Sequence, residues 1–184
     1  MKIKLILLFA LISLSSFDEQ RGSRVAVADG ISVVLPKRFQ PMTESDIVLK
    51  YPSVRQPLAA YTSEDRLADF NVNISATQWN PSDIAIAKDF FKASVVNLYD
   101  KVSFLQDEIK EVNGKQFVTF ELETLSRGDR ARNKASERRY VYVQYTIMKG
   151  KTLVFSFNCP LQMKDDWYDP VHKMMESVKI KNKF

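Results

Sequence analysis

Few side chains of this 184-residue chain are equipped for covalent or acid–base chemistry. It has a single histidine, His172, and a single cysteine, Cys159. A hydrolytic triad would need His172 as its base beside Cys159 or a serine nucleophile. The sequence holds neither a nucleophile-elbow glycine pattern nor a glycine-rich phosphate loop. One histidine and one cysteine do not make a zinc site. Asp165, Asp166 and Asp169 are the nearest approach to an oxygen-only cation site, but carboxylates at the start of a helix account for them. Glu121 and Glu123 stand two apart on a strand and could pair as acid and base, although a solvated strand face is the plainer reading. His172 is expected on a helix surface and Cys159 as a small buried hydrophobe. No catalytic residue, metal site or cofactor is therefore assigned, and the protein is read as not an enzyme.

The remaining chemistry is electrostatic. Over residues 127–139, Arg127, Arg130, Arg132, Lys134, Arg138 and Arg139 face Asp129 and Glu137, a net charge of +4. Such a loop suits an acidic partner, lipid headgroups or acidic glycans. It has no interleaved aromatic residue before Tyr140, which argues against a single-stranded nucleic-acid platform. The whole chain carries +5. That mild excess gives no ground for nucleic-acid binding.

The elements that must position these groups follow from periodicity. RRYVYVQYTIMKGKTLVFSFNC, residues 138–159, reads as a long antiparallel hairpin at the middle of a sheet, turning at Lys149-Gly150. Val141, Val143, Tyr145 and Ile147 share one face, and Tyr140, Tyr142, Gln144, Thr146 and Met148 the other. Neither face is plainly polar, so both are expected to be at least partly covered. Asp29-Gly30 predicts a hairpin of residues 25–28 with 31–35, and Asn113-Gly114 one of residues 102–112 with 115–125. A short helix opens at Thr43 or Ser45 and ends near Tyr51-Pro52. Residues 58–62 and 70–76 read as further strands; in the second, Phe70, Val72, Ile74 and Ala76 alternate with small polar residues. Asn80-Pro81-Ser82-Asp83 predicts a helix with Asn80 as cap, running to about Tyr99. Ile84, Ala87, Phe91, Val95 and Leu98 form its apolar stripe, widened by Ile86, Phe90 and Ala93. SRGDRARNKASE, residues 126–137, is a connector. A last helix begins at Asp165-Asp166, is restarted or kinked at Asp169-Pro170, and buries Trp167, Val171, Met174, Met175 and Val178. The fold class is α+β: one antiparallel sheet of about six or more strands carrying helices.

Lys2 and Lys4 precede an apolar run over residues 5–14, with Ser13, Ser15 and Ser16 behind it. This is the layout of a secretory leader, too short to span a bilayer. Residues 1–17 are read as that leader, with cleavage between Ser15 and Asp18, residues 18–24 as a flexible start, and residues 25–184 as one domain. The leader has no cysteine, which excludes a lipobox anchor. A periplasmic or secreted protein is expected, and an exported chain without an internal disulfide suits a bacterial envelope.

The run ISVVLPKRFQPMTESDIVLKYPSVRQPLAAYTS, then FNVNIS, a long helix, hairpins and a tryptophan-containing helix ending ESVKI, resembles the PsbP-like superfamily. Within it the chain is similar to the bacterial DcrB-type branch. The likeness spans residues 30–180. It implies an antiparallel sheet sandwiched by helices and a non-enzymatic role. Members include extrinsic subunits of photosystem II, a Ran-binding import factor, and cytoplasmic chaperones that hold hydrophobic helices on a concave sheet. They share a scaffold and not a site, so no functional residue carries over. The expectation is an exported binding or accessory protein with a protein partner and no nucleic acid. Its candidate surface is Phe117, Tyr140, Tyr142 and Gln144 with the basic loop beside them. The alternative is a chaperone-like binder of hydrophobic segments or lipids on the same face. Two helices on opposite faces of the hairpin would make the tyrosines core and move the binding surface to the basic loop; two on one face would leave the tyrosines as the site.

Overall fold

The structure, a computed structural model, describes residues 22–52, 55–128, 135–148 and 150–181. The leader and most of the basic loop, including Arg130, Arg132 and Lys134, lie outside them. Among the described residues there are ten strands and three α-helices. A seven-stranded antiparallel sheet runs in the order β3 (Phe39–Pro41), β4 (Ala59–Ser63), β5 (Asp69–Ile74), β9 (Lys151–Pro160), β8 (Glu137–Met148), β7 (Lys115–Ser126), β6 (Lys101–Val112). A smaller sheet pairs β2 (Ile31–Leu35) with β1 (Ser23–Ala28) on one side and β10 (Lys179–Ile180) on the other. Strands β3 and β10 are too short to show a period of two. Strand β1 starts at Ser23, inside the stretch expected to be flexible, because Arg24 is held by Ser32 and the carbonyl of Ser177.

The turn chemistry acts as the sequence predicts. Gly30, Asn113, Gly114 and Gly150 all have positive φ, between 49° and 77°, the region that tight hairpins require. Helix α1 (Glu44–Lys50) opens on a capping box: the Asp46 amide donates to Thr43 Oγ1 at 3.2 Å, and the Thr43 amide donates to Asp46 Oδ2 at 3.3 Å. Asn80 does not cap helix α2 (Ile84–Val96). A 3-10 turn, Pro81–Asp83, comes first, and the Asn80 amide group reaches the Asp83 carboxylate instead. The helix stops at Val96, three residues short of Tyr99. Helix α3 (Lys164–Glu176) runs through Pro170 without a break.

Helices α2 and α3 take opposite faces of the large sheet. Under α3 and the small sheet lie Phe70, Val72, Phe117, Tyr140, Tyr142, Leu153, Phe155, Phe157 and Cys159, meeting Trp167, Val171, Met174 and Met175. Under α2 lie Val118, Phe120, Leu122, Val141, Val143 and Ile147, meeting Ala87, Phe91 and Val95. Cys159 behaves as a core atom, its thiol pushed up to about 12 by burial. Phe157 sits 5.3 Å from Trp167 and 6.1 Å from Tyr140, and the Arg38 guanidinium caps the outer face of Trp167 at 3.6 Å. Truncation here leaves a void that the rigid sheet cannot close. Phe157→Ala is expected to cost about 3–5 kcal/mol in denaturant unfolding, whereas Leu105→Ala, on the exposed edge strand, should stay within about 0.5 kcal/mol.

Candidate functional site

Of the two arrangements left open by the sequence, the helices take the one that makes the tyrosines core. Phe117, Tyr140, Tyr142 and Gln144 are all 0 % exposed, covered by α3 and, for Gln144, hydrogen-bonded through its amide to the Met175 carbonyl at 3.2 Å. They touch no partner in this fold, and the candidate surface loses them. His172 is not on the helix surface either. It is half-buried on the inward side of α3, with Nε2 3.2 Å from Glu121 Oε2 and its ring edge-on to Tyr142 at 5.1 Å. Tyr140 donates to the other oxygen of Glu121 at 2.8 Å, Lys110 donates to the Tyr142 hydroxyl at 2.7 Å, and Lys164 pairs with Glu123 at 2.9 Å. Glu121 and Glu123 therefore do not converge as an acid and base. Each is held by a different partner, and together they pin α3 to the sheet.

Burial pushes the Glu121 carboxyl up, but His172 and the Tyr140 hydroxyl beside it outweigh burial and hold it below the usual carboxylate range. A depressed folded value adds stability that is present above the unfolded value of about 4.3 and is lost as pH falls through the folded one. Glu121→Gln keeps an acceptor for Tyr140 and removes the titration. Denaturant unfolding from pH 7 down to pH 3 should show wild type ahead of this variant at neutral pH and the gap closing in acid. A gap of constant size would show that the carboxylate charge contributes nothing.

Among the described residues the opposite face is covered only in part: Ala60, Thr62, Asp69 and Asn71 are buried, and Asn73, Ser156 and Asn158 are half-buried. Its residues form rows across the strands, set by the pairing register. One row reads Thr62, Asp69, Asn158, Val141, Leu122, Phe104. The next reads Ala60, Asn71, Ser156, Val143, Phe120, Asp107, and the third begins Asn73, Val154, Tyr145, Val118. The first two rows change from polar to apolar between β9 and β8, and the third changes between β5 and β9. Helix α2 covers the apolar half. The polar half, on β4, β5 and β9, forms a shelf on which Asn73, Ser156 and Asn158 keep partial access to solvent.

Helices α1 and α2 both expose apolar side chains. Lys88 and Lys92 of α2 reach Asp107 on β6 at 2.8 Å and 2.5 Å. Ile86 and Phe90 lie one helical step the other way from buried Ala87 and Phe91, on the side of α2 away from these lysines. They are 65 % and 44 % exposed, and Phe90 packs on Trp79 at 5.4 Å. The expectation that they widen the buried stripe does not hold. Helix α1 is turned inside out: its only buried residue is Asp46, while Val48 and Leu49 are 61 % and 80 % exposed. Ion pairs hold it this way. Asp46 pairs with Arg66, and Lys50 reaches the Asp69 carboxylate at 2.7 Å.

At the end of the shelf a cleft of about 380 Å³ is lined by Lys50, Tyr51, Arg66, Leu67, Asp69, Glu137, Arg139, Asn158 and Pro160. Tyr51 accepts a hydrogen bond from Asn71 at 3.0 Å, and its hydroxyl is raised to about 12 by burial and by the nearby Asp69 charge. Arg139 bonds Glu137 and Asn158 and so forms part of the cleft floor. Arg138, its neighbour in sequence, faces the α3 side because strand residues alternate. Arg127 is exposed, with its amide donating to Asp100 Oδ2 at 2.7 Å. Among the described residues of the basic stretch, Arg138 and Arg139 are thus split between two faces. Asn73, Ser156 and Asn158 keep access to solvent here, and none of them was among the candidate binding residues. The polar side of residues 70–76 was visible in the sequence, but that its partner strand would carry Ser156 and Asn158 was not.

No family model matches this chain, and no curated protein matches it in sequence. Solved structures do match. Cyanobacterial PsbP (CyanoP) from Synechocystis sp. PCC 6803 superposes with a TM-score of 0.61 at 14 % identity, over 88 % of this chain and 94 % of that one. The Saccharomyces cerevisiae Ran-binding protein Mog1p superposes at 0.58 and 14 % identity, over 88 % and 96 %. LpqN, involved in cell envelope biogenesis of Mycobacterium tuberculosis, superposes at 0.56 and 11 % identity, over 87 % and 85 %. These likenesses show the fold: the chain is a PsbP-like α+β protein, with its two larger helices on opposite faces of the seven-stranded sheet.

Proposed function

We propose that this protein is an exported, non-catalytic binding protein of a bacterial envelope that recognises a protein partner on the polar shelf between α1 and α2. The observation that carries this reading is the outward turn of two helices beside one uncovered half-face. A helix placed only for stability buries its apolar residues, whereas here Val48 and Leu49 of α1 and Ile86 and Phe90 of α2 are exposed. Apolar side chains around a polar floor are what a protein contact uses. Arg139 sits at the charged end, and Arg127, Arg138 and the rest of the basic stretch flank it in sequence.

Export is supported by Lys2, Lys4 and the apolar run behind them. Among the described residues no helix is long and apolar enough to cross a membrane. The likeness to a Ran-binding protein and to a protein of envelope biogenesis fits a binding role and an envelope setting, and the DcrB-type branch is the placement we favour within the fold. The exposed apolar residues also favour a second reading, a chaperone-like holder of hydrophobic segments or lipids, which predicts that the native protein brightens a hydrophobic dye.

Expressed with its leader in a bacterium, the chain should be recovered from the periplasm with a new N-terminus between Ser15 and Asp18, read by mass spectrometry; recovery intact from the cytoplasm would remove the export claim. In a pull-down from envelope extract, Leu49→Asp with Phe90→Asp should lower partner capture by about 30-fold, the loss of a central contact residue. Equal capture by wild type and this folded variant would remove the shelf as the contact surface.

A further inference from the structure

The shelf has chemistry specific enough to say what kind of segment it fits. The part of its floor that reaches solvent is the amides of Asn73 and Asn158 and the hydroxyl of Ser156; across the strands Asn158 lies opposite Asp69, whose carboxylate is paired with Lys50, Ser156 opposite buried Asn71, and Asn73 opposite Val154. Asn73 donates to Asn71 Oδ1 at 2.6 Å and Asn71 donates to Tyr51 at 3.0 Å, so the ladder is pre-ordered with donors and acceptors at the spacing of strand residues. Neutral amides and hydroxyls match the N–H and C=O groups of a peptide backbone. The α2 side offers Ile86 and Phe90 to apolar side chains. At the cleft end, the carboxylates of Asp46 and Asp69 lie beneath Arg66 and Lys50, at 9 % and 10 % exposure, so the cations form the outer layer with Arg139. Glu137, paired with Arg139, is the one acidic side chain there that reaches well into solvent.

Building on the shelf reading, we propose that the occupant is an extended segment of the partner protein. Its backbone is held by Asn73, Ser156 and Asn158, its alternate side chains are apolar and lie against Ile86 and Phe90, and an acidic group at one end displaces Glu137 from Arg139. Only an extended segment presents backbone groups to a flat floor; a helix has satisfied its own. A lipid surface would meet a neutral floor where headgroups need cations.

The test uses the full chain, immobilised, with a random dodecapeptide phage library as the probe. Enriched sequences should alternate apolar residues and carry Asp or Glu near one end. The best is then synthesised and its affinity read by fluorescence polarisation. Methylating alternate backbone amides should weaken binding 10- to 100-fold, the loss of two or so hydrogen bonds. Replacing the acid by its amide should weaken it several-fold. Ile86→Asp, at a more exposed position than Phe90, should abolish binding while leaving thermal unfolding unchanged. The proposal is overturned by any of four results: no enrichment, selected peptides that bind as helices, indifference to amide methylation, or indifference to Ile86→Asp. Binding to phosphatidylglycerol vesicles with none to peptides would identify a membrane surface and overturn it as well. If the envelope pull-down responds to the Leu49/Phe90 variant but the library yields nothing, the shelf remains the contact surface and the extended occupant is lost; if both fail, both are lost.

Discussion

Strands β8 and β9 must be buried on both faces, and the rest of the molecule follows from that constraint. Tyr140, Tyr142, Phe155 and Phe157 occupy one side of this pair; Val141, Val143, Ile147 and, in part, Val154 occupy the other. A strand pair apolar on both sides needs a layer on each. Helix α3 and the small sheet provide one layer. Helix α2 provides the other, but it is 13 residues long and spans only part of a seven-stranded sheet. Something on its face has to remain uncovered, and the polar half of that face is the part that can.

The division is drawn by side-chain chemistry within single rows. Moving from β9 to β8 along one row, Asn158 gives way to Val141; along the next, Ser156 gives way to Val143. Covering the first residue of each pair with a greasy helix would strand amides and hydroxyls without partners, at a cost of about 1–3 kcal/mol for each group. Covering the second gains the burial of a β-branched side chain. The helix therefore stops where the chemistry changes, and α1, held by Asp46–Arg66 and Lys50–Asp69, borders the far side without burying its own Val48 and Leu49. The closed α3 face is the counterpart. There the charged groups are matched internally, Glu121 by Tyr140 and His172, Glu123 by Lys164, and the Tyr142 hydroxyl by Lys110, and so that face can be closed.

The comparison with the sequence reading turns on distance along the chain. Asn113-Gly114 and Asp29-Gly30 specify their hairpins because a two-residue turn with positive φ is encoded in adjacent residues. The Thr43–Asp46 capping box is equally local. The exposed pair Ile86 and Phe90 was misjudged because helical periodicity shows that apolar residues share an arc and says nothing about how wide a surface waits to receive it. The place of Tyr140 and Tyr142 was left open for a related reason. Their alternation shows which way they point but not which helix arrives there. Glu121, read as a wet strand residue, is buried because His172, 51 positions later in sequence, comes to meet it.

Period-two and period-3.6 patterns, turn pairs and caps were enough to determine an antiparallel α+β fold, most element boundaries and the two-sided burial of the central hairpin, since each rests on contacts between near neighbours in the chain. Only the tertiary structure decided that the two long helices take opposite faces, that adjacent Arg138 and Arg139 part to different sides, and that Asn71 and Asn73 from β5 join Ser156 and Asn158 from β9 in one floor. Those outcomes depend on strand order, which is set by the packing of the whole sheet. A surface assembled from strands more than 80 residues apart leaves no pattern within any one of them.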